Sequence, residues 1–143
     1  MDLTKLHNTG LQYDNLTDEQ ELFFLTHIWN GVGSREFFID PHDLIFKIPS
    51  MYHDFYYFGG GDEERRQMSD WDFYLRCKRE VLNISWWKRP FLYSAAYIYY
   101  FFLKIGGKYA FEYTDKPAET WEEYMEIVNS YLIKSGKEPL IYK

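Results

Sequence analysis

Three consecutive glycines, Gly59-Gly60-Gly61, place the strongest constraint on how this chain folds. They separate two segments with helical patterning. Upstream, Pro49 suits the first turn of a helix that runs to about Phe58. Downstream, Asp62, Glu63 and Glu64 complement the positive end of a helix expected from Asp62 to about Val81. A loop this short turns the second helix back along the first. The two should therefore pack antiparallel, with side chains of one within reach of the other.

The rest of the chain also reads as helical. Thr17 is a cap, followed by Glu19 and Gln20 in a first turn and by Leu22, Leu25 and Ile28 at helical spacing. Asn30-Gly31-Val32-Gly33-Ser34 ends that helix, and the stretch to Phe46 is expected to be irregular. An aromatic helix should cover Phe91 to Ile105 and stop at Gly106-Gly107. A last helix, Thr120 to Lys134, places Trp121, Tyr124, Ile127 and Tyr131 on one stripe, capped by Thr120 or Glu119. Met1 to Asn15 reads as an arm or loop. With no convincing pair of strands, the expectation is an all-α fold in one domain spanning residues 1–143.

The chemistry gathers on the two helices joined by the glycines. His53 and Tyr57, four apart, share a helix face, whereas Asp54 points about 100° away from His53. His53 and Asp54 can thus serve separate tasks at one site. On the partner helix Asp70 shares a stripe with Phe73 and Cys77 and should face inward. An inward carboxylate needs hydrogen bonds, which His53 and Tyr57 can supply. A carboxylate on one imidazole nitrogen fixes the tautomer and leaves the other nitrogen as a base toward water. Asp72 is the competing partner; it points about 160° away from Asp70, so only one of the two can serve. Glycines in Trp29-Asn30-Gly31-Val32-Gly33 let backbone carbonyls turn toward a cation. With Asp54 they would make a calcium site with a single charged ligand, binding at about 10⁻⁴–10⁻³ M or nearby.

These segments are similar to the phospholipase A2 superfamily. His53-Asp54-Phe55-Tyr56-Tyr57 resembles its active-site helix, Trp29 to Gly33 its calcium loop, and Asp70 with Phe73 its partner helix, all in the same order. Tyr99, Tyr100, Gly106, Gly107 and Phe111 resemble the segment that follows in its disulfide-free phage and bacterial branch. The resemblance covers roughly residues 17–113. It implies that His53 is the general base, Asp70 its orienting partner and Tyr57 a donor to that carboxylate. It further implies Ca2+ held by Asp54 and the carbonyls of Trp29, Gly31 and Gly33, with the Gly31 amide as oxyanion donor. The activity implied is hydrolysis of the sn-2 ester of a glycerophospholipid by activated water, with no acyl-enzyme. Two features depart from the secreted members. Tyr56 and Asn30 stand where those members carry a paired cysteine, and His53 follows Gly33 by 20 positions, a longer gap than in those members. The alternative is a catalytically silent protein of the same fold, a phage or bacterial accessory that binds a membrane or a host factor.

Composition narrows the partners. A net charge of −6 argues against nucleic acid, and against long-range attraction to an anionic membrane. One cysteine, Cys77, permits no internal disulfide and suits a reducing compartment. Met1 to Asn15 lacks a basic start followed by an apolar run, so no signal peptide is expected and a cytoplasmic location is. The longest apolar stretch, Phe91 to Leu103, has 13 residues, short of the roughly 18 that span a bilayer. That aromatic run is read as core. Trp86 and Trp87 beside Lys88 and Arg89 are read as an interfacial patch, Asp62 to Arg66 as a solvated helix start, and His7 and His27 as unpartnered for metal binding.

Overall fold

The computed structural model describes residues 1–29 and 45–142. Among the described residues the chain is all-α: α1 Thr4–Asn8, α2 Asp18–Phe23, α3 Lys47–Phe58, α4 Glu63–Val81, α5 Arg89–Gly106 and α6 Trp121–Lys134. The loop expected at Asn30 to Ser34, and most of the irregular stretch after it, lie outside the described residues.

α3 and α4 form the antiparallel hairpin. Tyr52 meets Arg76, His53 meets Asp70 and Tyr56 meets Arg65, so rising numbers on one helix pair with falling numbers on the other. The turn is sewn in place from outside. The Thr114 amide donates to the Gly61 carbonyl at 2.9 Å, the Ala118 amide to the Gly59 carbonyl at 2.8 Å, and the Gly61 amide to Thr114 Oγ1 at 2.8 Å. Gly60 and Gly61 adopt φ of +80° and +123°, conformations that L side chains avoid. A Cβ at Gly60 would also lie against Thr114 Oγ1. Two separate reasons therefore require glycine here.

Caps fix the helix starts. Thr17 and Gln20 form a reciprocal capping box on α2, Asp62 accepts from the Arg65 amide at the start of α4, and Thr120 rather than Glu119 caps α6. α2 continues into a π-helical stretch, Phe24–Trp29, that buries Phe24, Ile28 and Trp29. A π turn takes more residues than an α turn, so the stripe shifts and Leu22 is left exposed. α6 buries Trp121, Tyr124, Met125, Val128 and Leu132; Ile127 and Tyr131 pack only partly against that cluster. Tyr124 stacks on Phe55, with ring centroids 4.6 Å apart, and donates to the Phe55 carbonyl at 3.0 Å.

Three expectations need correction. Met1 to Asn15 is more than an arm or loop: Thr4–Asn8 is helical, Leu6 is buried with Tyr56 and Met68, and Tyr13 is buried against Phe24 and Phe55. One anchor per turn gives no periodicity to read. The start of α4 is solvated only in part: Asp62, Glu63 and Glu64 are exposed, but Arg65 and Arg66 are buried. The aromatic run on α5 is not core: only Ala96 and Leu103 of that helix are buried. Gly106-Gly107 does end α5, yet Gly107 has an ordinary helical φ of −61°, so its glycine serves another purpose.

Candidate functional site

α3 presents His53 and Tyr57 to α4, and Asp70 meets both. His53 Nε2 lies 2.8 Å from Asp70 Oδ1. The Tyr57 hydroxyl donates to the same oxygen at 2.5 Å. Arg66, one turn earlier on α4, donates from Nη1 to Asp70 Oδ2 at 2.9 Å. A carboxylate only accepts, so the imidazole nitrogen facing it carries the proton. In the neutral ring the lone pair is then on Nδ1, which lies 3.7 Å from Asp54 Oδ1. The ring is clamped between Tyr57 and Phe73, at centroid distances of 4.1 and 5.3 Å. His53, Asp54 and Tyr57 are each 2% exposed and Asp70 1%.

Electrostatics follow from this burial. Desolvation alone would push the His53 imidazole down, but the Asp54 and Asp70 carboxylates outweigh it and hold the group above its ordinary value. Burial, then the Asp70 charge, drive the Tyr57 hydroxyl well above the usual phenol range, so it remains a donor. Arg66 is raised chiefly by its bonds to Glu63, against the opposing effect of burial. Glu63 in turn is pulled down to about 2, mainly by Arg66 and then by the Tyr113 hydroxyl.

Asp72 takes no part. It faces the other side of α4, where it pairs with His7 Nε2 at 2.8 Å and with Arg76 Nε at 2.7 Å. That arrangement ties the N-terminal segment to α4. The choice between Asp70 and Asp72 thus falls to Asp70 on geometry, and Asp72 is the carboxylate partner of His7.

Arg66 and Gly107 escape a reading of the sequence. Arg66 stands four residues before Asp70, and that spacing was its signal. Gly107 brings the end of α5 against the site: a Cβ there would lie 2.2 Å from the Tyr57 oxygen and 3.1 Å from Arg66 Nη1. Phe111 then closes edge-on against the Tyr57 ring, with centroids 5.1 Å apart.

Calcium takes hard oxygen ligands. Asp54 offers a buried carboxylate beside the candidate base, and Trp29 is buried in the same apolar cluster as Phe55. A carboxylate is the kind of oxygen donor that such a cation takes. Gly31 and Gly33 lie outside the described residues. Among the described residues no group of three or more His, Cys, Asp and Glu could hold a metal, so such a site would depend on backbone carbonyls.

No family model, curated protein or solved structure matches the chain.

Proposed function

We propose that the protein hydrolyses an acyl ester of a phospholipid, with His53 as the base that activates water. The supporting observation is the His53–Asp70 pair at 2.8 Å, with Nδ1 left facing the Asp54 carboxylate. Asp70, held by Tyr57 and Arg66, keeps the Nε2 proton in place and stabilises the imidazolium once it forms. Nδ1 takes a proton from water as the water oxygen attacks the ester carbonyl carbon. When the tetrahedral intermediate collapses, the departing glycerol oxygen takes that proton back from His53. The products are a free fatty acid and a lysophospholipid. This scheme brings the ester to Nδ1 from the Asp54 side. Bound by Asp54 and the carbonyls of Trp29, Gly31 and Gly33, calcium would clamp the phosphate and polarise the ester carbonyl.

Product analysis tests the reaction. A phospholipid with different acyl chains at sn-1 and sn-2 is offered in vesicles, with calcium and then with chelator. The proposal expects equal amounts of the sn-2 fatty acid and the lysophospholipid, only when calcium is present. Release of neither product in calcium, from folded protein, would refute it.

A further inference from the structure

The outward face of α5 is as apolar as the face it buries. Ala96 and Leu103 pack with Phe73, Cys77 and Val81 on α4, with Leu92 and Tyr99 partly buried beside them. On the other side Phe91, Ile98, Phe101, Phe102 and Ile105 recur at the spacing of one helix face, and each is at least 43% exposed. Exposed aromatics also flank both ends of the helix. Trp86 and Trp87 are 77% and 64% exposed before it, and Tyr109 is 82% exposed after it. A contiguous apolar surface of this kind marks a partner.

Charge identifies that partner. Residues 82–111 hold Lys88, Arg89, Lys104 and Lys108 and no Asp or Glu. This stretch therefore carries +4, while the rest of the chain carries −10. The cations sit at the aromatic ends of the helix: Lys88 lies 4.9 Å over the Trp87 ring and Lys108 lies 5.1 Å over the Tyr109 ring. Trp and Tyr favour the boundary between headgroups and acyl chains, and Lys and Arg near it are drawn to anionic headgroups. A second copy would set the same +4 surface against itself, which like charge disfavours. No helix among the described residues is long and apolar enough to cross a membrane, so α5 would lie in the interface plane.

We propose that the outer face of α5 docks this protein on an anionic phospholipid bilayer. The inference stands on α5 and not on the His53 chemistry, and its test runs in chelator, where hydrolysis is not read. The full chain is sedimented with vesicles of phosphatidylcholine alone and of phosphatidylcholine mixed with phosphatidylglycerol, while tryptophan emission is followed. The expected result is binding to the mixed vesicles, little binding to the neutral ones, and a blue shift that disappears when Trp86 and Trp87 are replaced by Phe. Phe101→Ser with Phe102→Ser should weaken binding by roughly tenfold or more. Lys104→Glu with Lys108→Glu, which alters only exposed groups, should do the same. Three results overturn the proposal: no binding to the mixed vesicles, binding unchanged in both variants, or a wild-type dimer that Phe101→Ser dissociates. Binding without turnover in calcium would sink the esterase reading alone.

Discussion

Replacing Gly107 with alanine sets two effects against each other. Its φ of −61° suits any L residue, and a Gly→Ala change at such a position stabilises by about 0.4–1 kcal/mol through the unfolded chain. Against this, the new methyl would lie 2.2 Å from the Tyr57 oxygen, whereas ordinary contact begins at 3.4 Å. Something must retreat by 1.2 Å. Tyr57 has little freedom to do so, being fixed between the His53 and Phe111 rings and bonded to Asp70. Overpacking costs about 1–3 kcal/mol, and loss of a hydrogen bond to a charged acceptor about 1.5–3 kcal/mol. The clash should therefore win by about 2–4 kcal/mol, with a melting temperature lower by roughly 8–16 °C. Tyr57→Phe removes the obstructing oxygen, leaving the tip of Arg66 at 3.1 Å and ring carbon at 3.3 Å. In that background Gly107→Ala should cost under about 1 kcal/mol, giving a coupling energy above about 1 kcal/mol. Thermal and urea unfolding of the four proteins, followed by circular dichroism, measures it. If Gly107→Ala stabilises the wild type, or costs the same in both backgrounds, the reasoning is wrong.

Other outcomes follow from the same geometry. Asp70→Asn puts an amide against His53 Nε2 and favours the wrong tautomer, so turnover of ester should fall by about 10³–10⁴-fold. Asp72→Asn should leave turnover at the wild-type level but destabilise by about 1–3 kcal/mol, because His7 and Arg76 lose a charged acceptor; steady-state rates and urea midpoints separate the two. Glu63 has its folded pKa pulled down from 4.5 to about 2, so the stability it adds is full above pH 4.5 and is lost as pH falls through about 2. The gap in urea midpoint between wild type and Glu63→Gln should accordingly be constant near neutrality and close on acidification. Because that carboxylate is half exposed, the gap should be small.

Sequence reading found what periodicity and turn chemistry encode. The glycine turn, the cap at Thr17, the start of α4 near Asp62, Thr120 as one of two candidate caps of α6, and the antiparallel α3–α4 pair are legible, since each rests on local backbone needs. So is the meeting of His53, Tyr57 and Asp70, because a hairpin with a fixed turn sets the register between its two helices. Long-range packing was not legible. Arg66 lies in a run of charges that mimics a solvated helix start, and only the carboxylate four residues on marks it as buried. Gly107 looks like a helix stop, since nothing local shows that a tyrosine from α3 will rest against it. The α5 aromatics read as core because composition cannot tell a buried face from an exposed one when both are apolar. His7 gave no signal, as its partner Asp72 is 65 residues away.

The central claim is that His53 is the base of an ester hydrolase. The most direct measurement is calcium-dependent release of fatty acid from phospholipid vesicles by the wild type and by His53→Ala, each shown to be folded by circular dichroism. Loss of a positioned general base should lower the rate by at least about 100-fold. Release that continues undiminished in the folded variant would contradict the account.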